Sequence, residues 1–502
     1  MSTSQDSSTD VASKRTVDHS VAHHDDDERD IKAAAQHNKL KSQSFKKLYW
    51  TQSLPNLLAS SWYQIMYAVM IIIMSRTDPG LTSSYGFANP VVRFINGLGL
   101  LISRGLNTSI SFFMGQKRTD LAEQAVADGL YLVFIVYAIV LVCFYPSINK
   151  LVPVLGAPEA ARHNSDLYGH IMVASSILIT LSMYTNGILR SQGFPKFVLY
   201  GMITASIMAA ILCYLLVMVG NYGIIGYSIS FLASPTLLVI FNFGFIIFNK
   251  NIPIKIRLRK PSKLILRIVK GGLSSAVNQM AGVCQVIIMN EGIVYIARGP
   301  EGNLVAGTMA STMTLTAVIM FTGTTLAMNA TLPIANFTRA TGDYQKFRQI
   351  NLYGLKMSFL VIFLMCSLIL CLCTVLPKAY YDDPIDVKYM NKCIWIVFSG
   401  RAFYSPAVSI IEIFQSSGLD FWATLISINR NVFVTSTILI IMTFTTDNIW
   451  LFLAGQPIGD LIATSISLLI MFIFRKRLYL TKSACEAKER ELAEVQDMEV
   501  KI

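Results

Sequence analysis

Long apolar stretches separated by short polar connectors run from residue 50 to residue 474. Crossing the hydrocarbon core of a bilayer takes about 20 helical residues, each rising about 1.5 Å. Stretches of that length predict helices over 50–76, 84–114, 122–147, 165–190, 196–219 and 222–248. Six more follow at 264–297, 303–338, 346–376, 389–417, 420–445 and 448–474. Several exceed the minimum, so tilt or extension beyond the bilayer is expected. The predicted class is an all-α integral membrane protein with about twelve transmembrane helices.

Around these helices the chain divides into a polar tail (1–45), an N-lobe (46–248), a basic connector (249–263), a C-lobe (264–474) and a second tail (475–502). The first tail is rich in Ser, Asp, His and Lys and is expected to be disordered. Its run from His23 to Glu28 is read as solvated chain in preference to a metal tract. With no apolar leader ahead of it, the first helix is expected to serve as the insertion signal.

Composition agrees with a lipid solvent. Apolar residues make up 53% and charged residues 14%, with mean hydropathy +0.51, where soluble domains hold about 25% charge. The net charge of +12 does not point to nucleic acid, because the basic residues flank apolar blocks instead of lining a polar face. They fall on alternate connectors: Lys46, Lys47, Lys117, Arg118, Arg190, Lys196, Arg339, Lys346, Arg348 and Arg475 to Arg477, with eight more over 249–270. The opposite connectors carry Asp78, Glu159, Asp382, Asp383, Asp386 and Asp447. The positive-inside rule then places both termini in the cytoplasm, as an even helix count requires. The eight cysteines are scattered, mostly in apolar blocks, and read as small hydrophobes.

Two segments recur. Gly187-Ile-Leu-Arg-Ser-Gln-Gly193, ending the fourth helix, resembles Glu412-Ile-Phe-Gln-Ser-Ser-Gly418, ending the tenth. Met114-Gly-Gln-Lys-Arg-Thr-Asp120 resembles Thr338-Arg-Ala-Thr-Gly-Asp343. Six helices separate the members of each pair, so the halves share one orientation, as parallel repeats do.

These segments carry a family likeness. The polar-Gly ending of the second helix and Ile188-Leu-Arg-Ser-Gln-Gly193 resemble the multidrug and toxic compound extrusion (MATE) family, within the wider multidrug/oligosaccharidyl-lipid/polysaccharide exporter superfamily. Gly223-Ile-Ile-Gly226-Tyr-Ser, Leu273-Ser-Ser-Ala-Val-Asn-Gln through Ile288-Met-Asn290, Phe414-Gln-Ser-Ser-Gly418 and Pro457-Ile-Gly-Asp460 extend it. The likeness covers residues 50–475 and implies two six-helix lobes around a central cavity, with gradient-driven export of small organic compounds or drugs by alternating access. The implied coupling ion is Na+ or H+, with no other cofactor. Many family members carry an acid in the first helix; this chain has Tyr63, Gln64 and Tyr67 there. The C-lobe acids of one branch fall near Gly282 and Tyr404.

An ionisable group inside a span costs about 2.5–3.5 kcal/mol on insertion scales and is a functional candidate by default. Glu291, Glu412 and Asp460 are the candidates for cation or proton coupling, since a carboxylate in a wet cavity can bind sodium or exchange a proton. Asp128, near a helix start, is read as touching headgroups, and snorkelling is the competing reading for Glu412. Arg93, Arg104, Asn290, Tyr67 and Tyr404 are the candidates for the substrate cavity. Arg93 and Arg104 lie about 20° apart on one helix face. If both line the cavity, the cargo is anionic and the alternative function is a flippase or exporter of a lipid-linked or polysaccharide cargo. The competing reading pairs these arginines with Glu291, Glu412 or backbone carbonyls, and lets Arg430 snorkel. No phosphate-binding loop, His-Glu-x-x-His or Gly-x-Ser-x-Gly is present, so no enzyme, catalytic residue or metal site is expected. The sequons at Asn107, Asn329 and Asn336 fall within spans or at a cytoplasmic end, out of reach of glycosylation. The expected partners are a small organic substrate and the bilayer, around a monomer in the plasma membrane.

Overall fold

The computed structural model describes residues 30–155, 159–249, 251–296, 305, 308–309, 312–313, 316 and 329–500. A few side chains, Asn290 among them, lie outside that description. Among the described residues the regular structure is helical. Residues 30–42 form α1. The N-lobe helices are α2 (Phe45–Thr77), α3 (Pro79–Gly115), α4 (Thr119–Phe144), α5 (Ile148–Val154), α6 (Glu159–Ala174), α7 (Ser176–Ser191), α8 (Pro195–Cys213) and α9 (Gly223–Phe248). Then come α10 (Leu264–Ile296), α11 (Leu332–Ala340), α12 (Tyr344–Cys371), α13 (Leu376–Tyr380), α14 (Pro384–Gly400), α15 (Tyr404–Ser416), α16 (Asp420–Ile428), α17 (Thr437–Thr445), α18 (Ile449–Ile473) and α19 (Lys482–Val500).

Short polar residues set the helix starts. The Asp78 side chain accepts from Gly80 N–H at 2.8 Å, with Pro79 supplying the first helical φ of α3. Asp383 caps α14, Asp343 caps α12, and Asn448 caps α18 in the same manner. Pro457 and Pro235 sit inside α18 and α9, tolerated because neighbouring helices surround the freed carbonyls.

The side-chain distribution is inverted relative to a water-soluble protein. Phe248 (83%), Val142 (72%) and Phe444 (72%) face outward, whereas Arg430, Asp460 and Glu412 are buried. Among the described residues nine helices are long and apolar enough to cross a membrane, or ten if α6 and α7, bent by 48°, count as one span. Of the twelve expected, the eighth falls mostly outside the described residues. The second, α3, has the length but not the apolarity, because it carries Arg93, Arg104 and several Ser, Thr and Asn residues into the protein interior. The protein is a multi-pass membrane protein.

The half-repeat is visible in the backbone. Lys117 (φ 59°) and Gly342 (φ 80°) follow α3 and α11; Gly193 (φ 83°) and Gly418 (φ 80°) follow α7 and α15. Each residue turns the chain through the left-handed region after a helix, and the next N–H reaches back: Arg118 to Phe113, Asp343 to Thr338, Phe194 to Leu189 and Leu419 to Phe414. Both pairs share the 225-residue spacing that separates Arg104 from Asn329.

Two expectations are corrected. Residues 30–42 of the first tail form a docked helix: Ala33, His37 and Leu40 bury one face of α1, at helical spacing, against the inner ends of both lobes. Here "inner" means the side bearing the lysine- and arginine-rich connectors. Thr119 donates to Asp30 (2.7 Å) and Gln36 to the Gln192 carbonyl (3.1 Å) on the N-lobe. His37 packs on Phe337 and Lys346 donates to the Lys41 carbonyl (2.9 Å) on the C-lobe. The helix forms because it has tertiary partners, which composition does not show. Asp128, in turn, does not reach for headgroups. It accepts from Ser262 N–H (3.0 Å), Ser262 Oγ–H (2.5 Å) and Gln124 (3.0 Å), while Glu123 pairs with Arg259. The connector is thus pinned to α4 by two carboxylates, one of them paired with Arg259.

His37 makes the α1 contact sensitive to acid. Burial holds its imidazole below the ordinary 6.5, and Lys117 and Lys41 push the same way. The docked helix therefore holds neutral His37, whereas an undocked one takes up a proton, so docking weakens as pH falls through 6.5. Hydrogen exchange over residues 30–42, corrected for intrinsic rates, is expected to be faster at pH 5.5 than at pH 7.5. The same peptide in His37→Phe should show no such difference.

Candidate inner gate and C-lobe polar core

The lobes meet where α3 and α10 cross without side chains between them. A Cβ on Gly105 would stand 2.0 Å from the Ile268 carbonyl oxygen, and one on Gly272 1.8 Å from that of Leu101. Closer to the inner surface, Arg267 lies over Phe112 and Phe113, 4.5 and 4.7 Å from the ring centroids. Trp50 of α2 donates to Tyr353 of α12 at 2.9 Å. These contacts, with those of α1, join the lobes across their inner halves.

Charged residues lie within this seam. Arg104 is buried and donates to Asn329, its mate in the half-repeat, so the bond crosses the pseudo-two-fold axis. Asn56 donates to the Asn329 carbonyl (3.3 Å) and the Gln52 carbonyl (2.8 Å). Glu412, on α15 about one turn from its end, is 1% exposed and does not snorkel. Among the described residues neither carboxylate oxygen has a hydrogen-bond partner, and the cation acting on it is Arg104 of the other lobe. Its N-lobe counterpart is Gly187, where a Cβ would stand 2.8 Å from the Ser103 carbonyl oxygen. Only one lobe has room for the acid.

Asp460 belongs to a separate cluster inside the C-lobe. Its Oδ2 accepts from Arg401 Nη1 at 2.6 Å, and Arg430 Nε stands 4.0 Å from Oδ1. Both guanidinium carbons lie over the Tyr404 ring, 5.3 and 4.0 Å from its centroid. Arg430 also donates to Asn278 of α10 at 3.1 Å. The helices are irregular here: Arg401–Phe403 is a 3-10 turn between α14 and α15, and Asn429–Ser436 is π-helical. Such breaks recur at functional sites. Arg430, read from sequence as an end-snorkelling residue, is 1% exposed.

The remaining candidates are dispersed. Glu291 is exposed on α10 and belongs to neither cluster. The side chain of Asn290 lies outside the described residues. Tyr67 is half-buried in an N-lobe aromatic group with Tyr85, to which its hydroxyl bonds, and Phe231. Arg93 is also half-buried, on the Tyr85 side of that lobe. It shares a face of α3 with Arg104, but eleven residues set them about 16 Å apart along the axis. Asn107, Asn329 and Asn336 are all buried. Composition and spacing do not mark Asn329 and Asn278 as polar partners of these arginines. The repeat offered a signal for the first, since it aligns Asn329 with Arg104. Sequence offered none for the second.

Residues 55–215 match the MatE family model. An outward-facing multidrug-resistance MATE transporter of the MOP superfamily superposes with a TM-score of 0.79 at 19% identity, over 89% of this chain and 98% of that one. The fold is that of the MATE transporters. A MATE protein in the straight conformation gives a TM-score of 0.78 at 20% identity, over 88% of this chain and 99% of the other. A MOP-superfamily transporter from Pyrococcus furiosus, described as having a binding pocket of reverse polarity, gives 0.79 at 20% identity, over 88% and 98%. Among curated proteins no match is found. On this MATE fold the candidate gate residues lie at the seam between lobes, and the Arg401–Asp460–Arg430 cluster is interior to the second lobe.

Proposed function

We propose that this protein is a secondary active exporter, an antiporter that carries small organic compounds outward by alternating access, and that proton exchange at Glu412 drives it. The observation that supports this reading is a buried carboxylate without a hydrogen-bond partner among the described residues, acted on by the charge of an arginine from the other lobe. Ionised, Glu412 attracts Arg104 and favours the closed inner gate. Protonated, it loses that attraction, and the lobes can part on the inner side. A gradient of protons thereby biases which side opens.

The surroundings favour a proton over sodium. A sodium ion at Glu412 would stand in the field of Arg104, and at Asp460 it would displace a guanidinium; among the described residues no group of three or more His, Cys, Asp or Glu could hold a metal ion. The anionic-cargo reading, in which Arg93 and Arg104 grip one carboxylate or phosphate together, is not favoured, since the two are far apart and Arg104 is committed to the gate. We further propose a monomer in the plasma membrane with both termini cytoplasmic, from the basic inner connectors.

Proteoliposomes with an imposed pH gradient and a panel of organic cations and neutral drugs test the reading. Counter-transport that stops on adding a protonophore, and that an equal sodium gradient does not drive, is the expected result. Transport indifferent to collapse of both gradients rejects coupling.

A further inference from the structure

Arg430 is one of the largest fully buried side chains of the protein, and the gate mechanism does not use it. A guanidinium does not deprotonate in proteins, so it carries a full charge wherever it lies. In a membrane-embedded helix bundle such a charge is retained when an opposite charge or a ligand compensates it. The carboxylate of Asp460 is engaged by Arg401 at 2.6 Å, and Arg430 stands off from it at 4.0 Å. Arg430 also meets two neutral groups, the Asn278 amide oxygen at 3.1 Å and the face of Tyr404 at 4.0 Å. Its Nε has no hydrogen-bond partner among the described residues. Two guanidinium groups thus share the single carboxylate of Asp460, which leaves one positive charge in excess among these three side chains.

The backbone around this charge is specialised. Asn429–Ser436 is π-helical, so the carbonyls and side chains near Arg430 depart from regular α-helical register. Asn431 donates to the same Asn278 oxygen at 2.8 Å, which fixes that amide's acceptor toward the two donors and points its NH2 elsewhere. Asn278 itself is only half-buried, whereas Arg430 is fully so, and α10 thus forms the more open side of the cluster.

We infer that the C-lobe core holds a site for one small monovalent anion, a halide or a carboxylate, seated on the Arg430 guanidinium beside Tyr404 and Asn278. Binding neutralises the cluster: one anion against the one positive charge in excess. The inference does not rest on the export reading, since it concerns occupancy of the protein at rest. A doubly charged anion would overcompensate and is not expected to bind.

The full-length protein in lipid nanodiscs tests this by thermal unfolding at constant ionic strength. Sulfate serves as the reference anion, and chloride and acetate are the two probes, separating halide from carboxylate. A saturable rise in Tm of about 1–2 °C is expected with at least one probe, at concentrations about tenfold above half-saturation. Arg430→Met, a neutral side chain of similar length, should abolish the rise without lowering Tm in sulfate, because it removes the charge that needs compensation. Arg430→Lys should keep a weaker response. Equal Tm in chloride, acetate and sulfate for the wild type overturns the inference, as does an undiminished response in Arg430→Met. A response that survives while gradient-driven transport is absent leaves the anion site standing and rejects only the antiporter.

Discussion

Gly272→Leu is expected to abolish transport, to below about one-hundredth of the wild-type rate, while the protein still inserts and folds. Any side chain at this position begins with a Cβ 1.8 Å from the Leu101 carbonyl oxygen, roughly half of a normal contact distance. That oxygen belongs to the backbone of α3, so no rotamer change relieves the overlap. The lobes must part along α3 and α10, and the inner gate stays open. Each lobe keeps its own core, because the clash falls on the surface between them. Gly105→Leu, which meets Ile268 at 2.0 Å, should behave alike. Proteoliposome transport and a thermal melt of the same preparation check both halves of this expectation. Transport at half the wild-type rate or more would show that the seam need not close.

Glu412→Gln is expected to uncouple the protein, with gradient-driven transport falling at least tenfold and its pH dependence flattening. Glutamine has the size of a protonated glutamic acid but cannot ionise, so Arg104 no longer draws the lobes together. Glu412→Ala goes further, since it removes the bulk of the side chain as well as the carboxylate that acts on the buried Arg104 charge, and it should destabilise the closed form. Adding Arg104→Gln to Glu412→Ala should return much of that stability without restoring coupling, the signature of a pair that interacts directly. If Glu412→Gln retains the wild-type pH profile, the coupling group lies elsewhere.

The fold was legible because lipid imposes a simple rule: uncharged stretches of sufficient length become helices with all backbone groups satisfied internally. The repeat was legible because it ends helices with the same turn, and Gly193 and Gly418 show that turn in sequence. The site was legible only in its ingredients. A rare charge in a span marks Glu412, Asp460, Arg104 and Arg430, but spacing within one helix does not reveal which residue of another helix faces it. Asp460 therefore passed as a cation ligand when two arginines already surround it. Arg93 and Arg104 share a face of α3 yet serve different parts of the molecule. The order in α1 was hidden for a related reason: Ala33, His37 and Leu40 form a narrow stripe whose value depends on partners 80 to 310 residues away.

The central claim is that the charge on Glu412 holds the inner ends of the two lobes together. Double electron–electron resonance between spin labels at Lys196→Cys and Gln349→Cys measures that separation, both positions being exposed on opposite lobes. The exposed native cysteines, Cys143, Cys284 and Cys371, are first replaced by serine. At neutral pH the wild type should give mainly the short, closed distance, and Glu412→Gln should shift the population to a longer one. An unchanged distribution, or a shorter one, in Glu412→Gln would contradict the account.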